Sequence, residues 1–99
     1  MINSFGSKET SKIWDGAQVK EFSTEIQKIA RRKLRILNNC QNVMDLRIPP
    51  SNRLEKLKGN LKDFYSIRLN EQWRIMFKWD KGNASDVAIS DYHKKRNTK

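Results

Sequence analysis

The chain has 99 residues, enough for one domain with a thin core and too few for two. Lysine and arginine number 21 against 11 acidic residues, a formal charge of +10, and the natural counterpart of that excess is a polyanion. A single cysteine, Cys40, excludes an internal disulfide, no Cys/His cluster suggests a metal, and no apolar run reaches the ~18 residues of a membrane span. With no signal-peptide pattern at Met1 to Phe5, the expectation is a cytoplasmic protein without a cofactor.

In chain order, Ile2 to Phe5 reads as a short strand ended by Gly6-Ser7. Lys8 to Trp14 reads as a short helix, capped by Ser7 and stopped at Asp15-Gly16. The strongest helix begins at Ser23 or Thr24 and ends near Asn39. Thr24 and Gln27 have capping-box spacing. Ile26, Ile29, Ala30, Leu34 and Leu37 recur at helical period and form the buried stripe, with Lys28, Arg31, Arg32 and Arg35 around it. Lys33 falls on the apolar arc, where it either snorkels out along its stem or meets a carboxylate; snorkelling is the expectation. Cys40, at the polar end of this helix, reads as a small packing residue.

Val43 to Ile48 has room for one more turn, which Pro49-Pro50 ends because a residue before proline leaves the helical region. Residues 51–63 read as basic and irregular. Three strands follow, Phe64–Leu69, Trp73–Trp79 and Asp86–Ser90, joined by turns at Asn70–Gln72 and Asp80–Asn83, the second with Gly82 suited to positive φ. In the middle strand Trp73, Ile75, Phe77 and Trp79 point one way, and Arg74, Met76 and Lys78 the other. The expected fold is α+β: an N-terminal strand and two helices pack on one face of an antiparallel sheet. The other face, bearing Arg68, Arg74 and Lys78, is expected to meet water or a ligand.

Arg74 stands out chemically, because a guanidinium stays charged and its planar fork matches phosphate oxygens. Its structural alternative is a strand arginine paired with a carboxylate such as Glu71 or Asp91. Asp91-Tyr92-His93 delivers an acid, a phenol and an imidazole in a row. Cations with proton-transfer groups on a small basic chain suggest phosphodiester chemistry, with RNA as substrate.

The sequence here resembles the HigB branch of the RelE-like toxins, ribosome-dependent mRNA interferases of bacterial toxin–antitoxin pairs. The matching residues are Asn52-Arg53-Leu54-Glu55 with Leu57-Lys58-Gly59, Tyr65-Ser66-Ile67-Arg68, Gln72-Trp73-Arg74, Phe77 and Asp91-Tyr92-His93, together with Ile2, Ser4 and Phe5. The resemblance implies one toxin domain over residues 1–93, followed by a basic tail, 94–99. It implies an RNA site around Lys58, Arg74, Asp91, Tyr92 and His93, and a HigA-like helix-turn-helix antitoxin as partner beside the ribosome and mRNA, with DNA met only through the antitoxin. Glu55 stands where some members carry histidine, which makes it a further candidate for proton transfer. Arg53, Lys56, Lys62, Arg68 and Lys78 are the expected RNA contacts, and Lys56, Lys62, Arg31, Arg35 and the Lys94–Arg96 tail the expected phosphate contacts. Two other readings stay open: a non-catalytic basic module that binds RNA or the ribosome, and a ParE-like toxin of DNA gyrase on the same fold.

Overall fold

Ser7 opens the first helix, α1 (Lys8–Trp14), in the computed structural model of the chain, which describes residues 1–91. Its hydroxyl accepts from the Thr10 N–H at 3.2 Å, and Gly16, at φ +94°, turns the chain away. Helix α2 (Thr24–Asn39) buries Ile26, Ala30, Leu34 and Leu37, with Ile29 packed beside them, as the spacing predicts. Cys40 closes it, half-buried, with its Sγ donating to the Leu37 carbonyl at 3.4 Å; burial, then the nearby Asp45 carboxylate, pushes the thiol pKa up, away from nucleophilic character.

Four polar residues of α2 behave differently from expectation. The N-cap is Ser23, whose hydroxyl accepts from the Ile26 N–H at 3.1 Å, so Thr24 and Gln27 form no capping box. Gln27 is instead buried and clasps the preceding loop, accepting from the Val19 N–H at 3.0 Å and donating to the carbonyls of Val19 at 2.8 Å and Phe22 at 2.7 Å. That loop has no ladder of its own, so its buried backbone groups need side-chain partners. Arg31 turns inward, with Nε on the Ile13 carbonyl at 3.1 Å and Nη2 on that of Ala17 at 2.9 Å, and so finishes the end of α1. Lys33 does not snorkel. It is buried, and its Nζ donates to the Asn52 side-chain oxygen, a neutral amide rather than a carboxylate. Burial, and after it the charge of Arg32, lowers its pKa from the ordinary 10.5.

Beyond α2, Val43–Arg47 forms the extra turn as a 3-10 helix, with Asn42 and Asp45 capping each other's backbone. Ile48 is extended before Pro49, as expected. Residues 51–63 hold more order than expected: 3-10 turns at Pro50–Asn52 and Gly59–Leu61 flank a two-residue strand, β1 (Glu55–Lys56). Strands β2 (Phe64–Arg68), β3 (Trp73–Asp80) and β4 (Asn83–Asp91) complete an antiparallel sheet in the order β1-β2-β3-β4. The last strand starts earlier than the sequence suggests, because Lys81 and Gly82, both at positive φ, make a two-residue hairpin turn. A bulge between Met76 and Lys78 follows, with Asp86 in the left-handed region. The N-terminal segment runs parallel to β4, bridging Ile2 to Ala84 and Phe5 to Val87 on either side of that irregularity.

Ile67, Ile75 and Ile89 align across β2, β3 and β4 and join Phe77, Ile13, Leu34 and Leu37 in the core. The opposite face corrects an expectation. Ser66, Arg74 and Met76 there are buried, Arg74 with only 6% of its surface exposed, so this is not an open basic face. The segment that enters β1 lies against it and supplies a backbone carbonyl to Arg74. Alternation along β3 carries no trace of that cover.

Gln27→Ala strands one buried donor and two acceptors, and should lower the unfolding free energy in urea by roughly 2–4 kcal/mol; a loss under about 0.5 kcal/mol would mean that the loop does not depend on this side chain. For Lys33 the folded pKa lies below the unfolded one, so between that lowered value and 10.5 the unfolded chain binds more protons and stability rises with pH. Lys33→Met lacks this titration. The stability of the wild type relative to the variant should therefore climb through that window, and parallel curves would contradict the shift.

Candidate active site

Arg74 sits in the second strand of the central hairpin pair because β3 must pass between β2 and β4, and its position on the pleat sends the side chain away from the helices. Its Nε donates to the Ser66 hydroxyl at 2.7 Å, and its Nη2 to the Ser66 carbonyl at 3.3 Å and to the carbonyl of Arg53. Nη2 also lies 3.8 Å from Glu55 Oε1, a carboxylate the sequence did not single out as its partner; Glu71 and Asp91 were the ones suggested there. These partners hold the guanidinium in one orientation.

Arg53 reaches its position through a left-handed backbone, φ +47° and ψ +56°, immediately after the Pro50–Asn52 turn. Glu55 pairs in register with Ser66, which places it on the Arg74 side of the sheet; its side chain is nearly half exposed. Arg68 pairs directly with Arg74, so two cationic residues spring from opposed positions with Cβ atoms about 5 Å apart. Like charges so placed repel, and a bound anion between them would relieve the repulsion. Lys58 is exposed and extended, just ahead of the Gly59–Leu61 turn.

The remaining sequence candidates are dispersed. Lys56 pairs in register with Tyr65, on the helix side, and its Nζ lies 5.6 Å from that ring's centroid. Lys62 is exposed at the end of the Gly59–Leu61 turn. Lys78 lies four residues along β3 from Arg74, about 13 Å away, over the Phe64 ring and 3.5 Å from Asp86 Oδ2. Asp91 ends β4 in register with Trp73, whereas Ser90 pairs with Arg74; the Gln72 amide donates to Asp91 Oδ2 at 3.0 Å. Tyr92, His93 and the 94–99 tail lie outside the described residues. Sequence reasoning gave no part in the site to Ser66, Asn52 or Lys33. The first two stood inside the matched motifs, and Lys33 stood out on the apolar arc.

A fixed guanidinium stands beside a carboxylate and a second cationic strand residue on a small α+β domain, an arrangement with the charge and fork geometry that a phosphate would match. Residues 3–93 match the family model of the RelE-like toxin of type II toxin–antitoxin system HigB. The chain is 48% identical over 71 residues to toxin HigB-1 of Vibrio cholerae serotype O1, covering 72% of this chain and 74% of that one. It is 32% identical over 69 residues to an uncharacterized protein of Haemophilus influenzae, covering 70% and 68%. Among solved structures, a mutant of YafQ from E. coli superposes with a TM-score of 0.66 at 16% identity, over 96% of this chain and 98% of that one. The YoeB–YefM complex from Staphylococcus aureus gives 0.57 at 20%, over 94% and 98%. These structural likenesses bear out the RelE-like α+β fold. The chain belongs to the HigB-type family: it is a RelE-like toxin of a type II toxin–antitoxin system, by class an mRNA endoribonuclease, and its partner is an antitoxin.

Glu55 and Arg74 should separate sharply in stability. Glu55→Gln touches a half-exposed pair and should change the unfolding free energy by less than about 1 kcal/mol. Arg74→Ala removes a buried charged donor from three acceptors and should cost roughly 2–4 kcal/mol. Equal costs in urea denaturation would show that the carboxylate, rather than the carbonyls, anchors the guanidinium.

Proposed function

We propose that the chain cuts mRNA without a metal, at codons held by the ribosome in the cytoplasm, with Arg74 stabilising the charge that builds on the scissile phosphate. The observation that carries this reading is the guanidinium fixed on Ser66 beside Glu55, opposite Arg68. In the reaction a base removes the proton of the 2′-hydroxyl, the 2′-oxygen attacks the adjacent phosphorus, and the bond to the 5′-oxygen breaks as that oxygen takes up a proton. Charge held ready for the phosphorane contributes about 10²–10³-fold, and each placed proton carrier roughly 10²–10⁴-fold.

Arg74 cannot reorganise freely, so its field is present before the substrate arrives; Lys58 and Arg68 add charge from exposed and half-buried positions. Glu55 is a proton carrier beside Arg74, and Asp91, Tyr92 and His93 are the C-terminal candidates. Arg53, Lys56, Lys62 and Lys78 serve as outer contacts to phosphate. In-line attack depends on alignment of the RNA, which is a large part of the barrier in such reactions, and the ribosome supplies it by holding the codon. The antitoxin is a HigA-like protein with a helix-turn-helix, and the toxin meets DNA only through it.

Lys58→Ala and Arg74→Lys test this, the first on the surface and the second keeping its charge, with both compared to wild type at a temperature where all three are fully folded. On programmed ribosomes wild type should give in-frame cuts in mRNA, and both variants should fall roughly 10²-fold in single-turnover rate at saturating ribosome. Lys62→Ala should instead weaken binding and reduce the log–log salt slope by about 0.7–0.9. Cleavage of naked RNA as fast as ribosomal mRNA would overturn the ribosome's role, and cleavage lost on adding EDTA and restored by one divalent ion would overturn metal independence.

A further inference from the structure

The Arg74 site hangs on a buried polar relay that begins in α2, on the far side of the molecule's core. Lys33 donates its Nζ to the side-chain oxygen of Asn52, and both residues are buried. Asn52 then uses its amide nitrogen on the carbonyls of Leu46 at 3.1 Å and Ile48 at 3.4 Å, and its backbone N–H on that of Pro49 at 2.9 Å. Every polar group of the Asn52 side chain is thereby committed, and the residue has one placement. The next residue, Arg53, takes the left-handed backbone that presents its carbonyl to Arg74, and Glu55 follows two residues later.

A lysine is a poor choice for filling a core. Methionine would occupy similar volume without the cost of removing an ammonium group from water. The lysine becomes intelligible as a donor for the one amide that locks the turn before Arg53. We propose that Lys33 and Asn52 are positioning residues for Arg74 and Glu55, transmitting the placement of α2 to the guanidinium through the Pro50–Asn52 turn and the Arg53 carbonyl. This rests on the reading of Arg74 as the charge stabiliser. Neither residue touches RNA; they set where the Arg53 carbonyl lies, and hence how firmly the guanidinium is aimed. A displacement of about 1 Å at such a group costs up to roughly 10²-fold in rate.

Lys33→Met provides the test, with two readouts that a purely structural role would not move. The first is hydrogen exchange at the Arg74 Nη2 protons, which face the Arg53 carbonyl, assigned by NMR through their absence in Arg74→Lys and compared at matched global stability. The second is single-turnover cleavage on saturating programmed ribosomes, at a temperature where wild type and variant are both fully folded. The expected result is faster exchange at Arg74 together with a rate lowered about 10- to 100-fold and unchanged ribosome affinity. In a protein that cleaves, wild-type behaviour in either readout overturns the proposal. Should Lys33→Met not fold, Lys33→Gln, whose shorter side chain does not reproduce the contact, is measured in its place, and wild-type behaviour there overturns the proposal equally. If wild type cuts no mRNA yet the Arg74 exchange quickens in the variant, the functional reading fails and the relay stands.

Discussion

A strand arginine bonded to a loop carbonyl is the constraint from which the rest of this site follows. A buried guanidinium must find acceptors, and Arg74 takes two from Ser66 and one from Arg53. The first pair lies within the sheet and comes with the β2–β3 register. The third pulls an otherwise irregular segment onto the sheet, where residues 55–56 become its first strand. Charge placement and local folding are therefore one event: the same contact that orders β1 fixes the cation.

The sheet would be inadequate alone. Its helix side closes through the aligned isoleucines of β2, β3 and β4, and the helices are themselves tied down by inward polar groups rather than by apolar contact alone. Gln27 holds the loop before α2, and Arg31 holds the end of α1. In a domain this small the core is thin, and satisfied polar clasps at loop ends take over part of the work of specifying one arrangement.

Periodicity made α2, the hairpin and the helix-facing residues legible, because each depends on spacing that packing then enforces. The α+β class and the two sides of β3 followed from the same signal. What escaped were contacts that depend on where a backbone carbonyl lands. The cover over Arg74, the approach of Glu55 to its guanidinium, and the inward turn of Arg31 have no periodic signature. Lys33 was visible as an anomaly, yet its partner, nineteen residues away in sequence, was not. At the site, the Glu55–Arg74 and Arg68–Arg74 juxtapositions come from strand register, which a short β1 without alternation does not announce. Asp91 illustrates the same limit, since a shift of one residue in register decides which side of the sheet it leaves from.

The N-terminal segment, which bridges β4 at Ile2 and Phe5, has an effect on how the molecule meets others. It occupies the outer rim of β4, and the opposite rim ends in a strand of two residues. Sheets commonly recruit another chain by lending it an unpaired edge, a mode that confers affinity with little regard to side chains. Here one rim is taken and the other is too short to template a ladder. Among the described residues, a partner that adds a strand to this sheet would have to displace Ile2 and Phe5 from β4 or lengthen the two-residue β1.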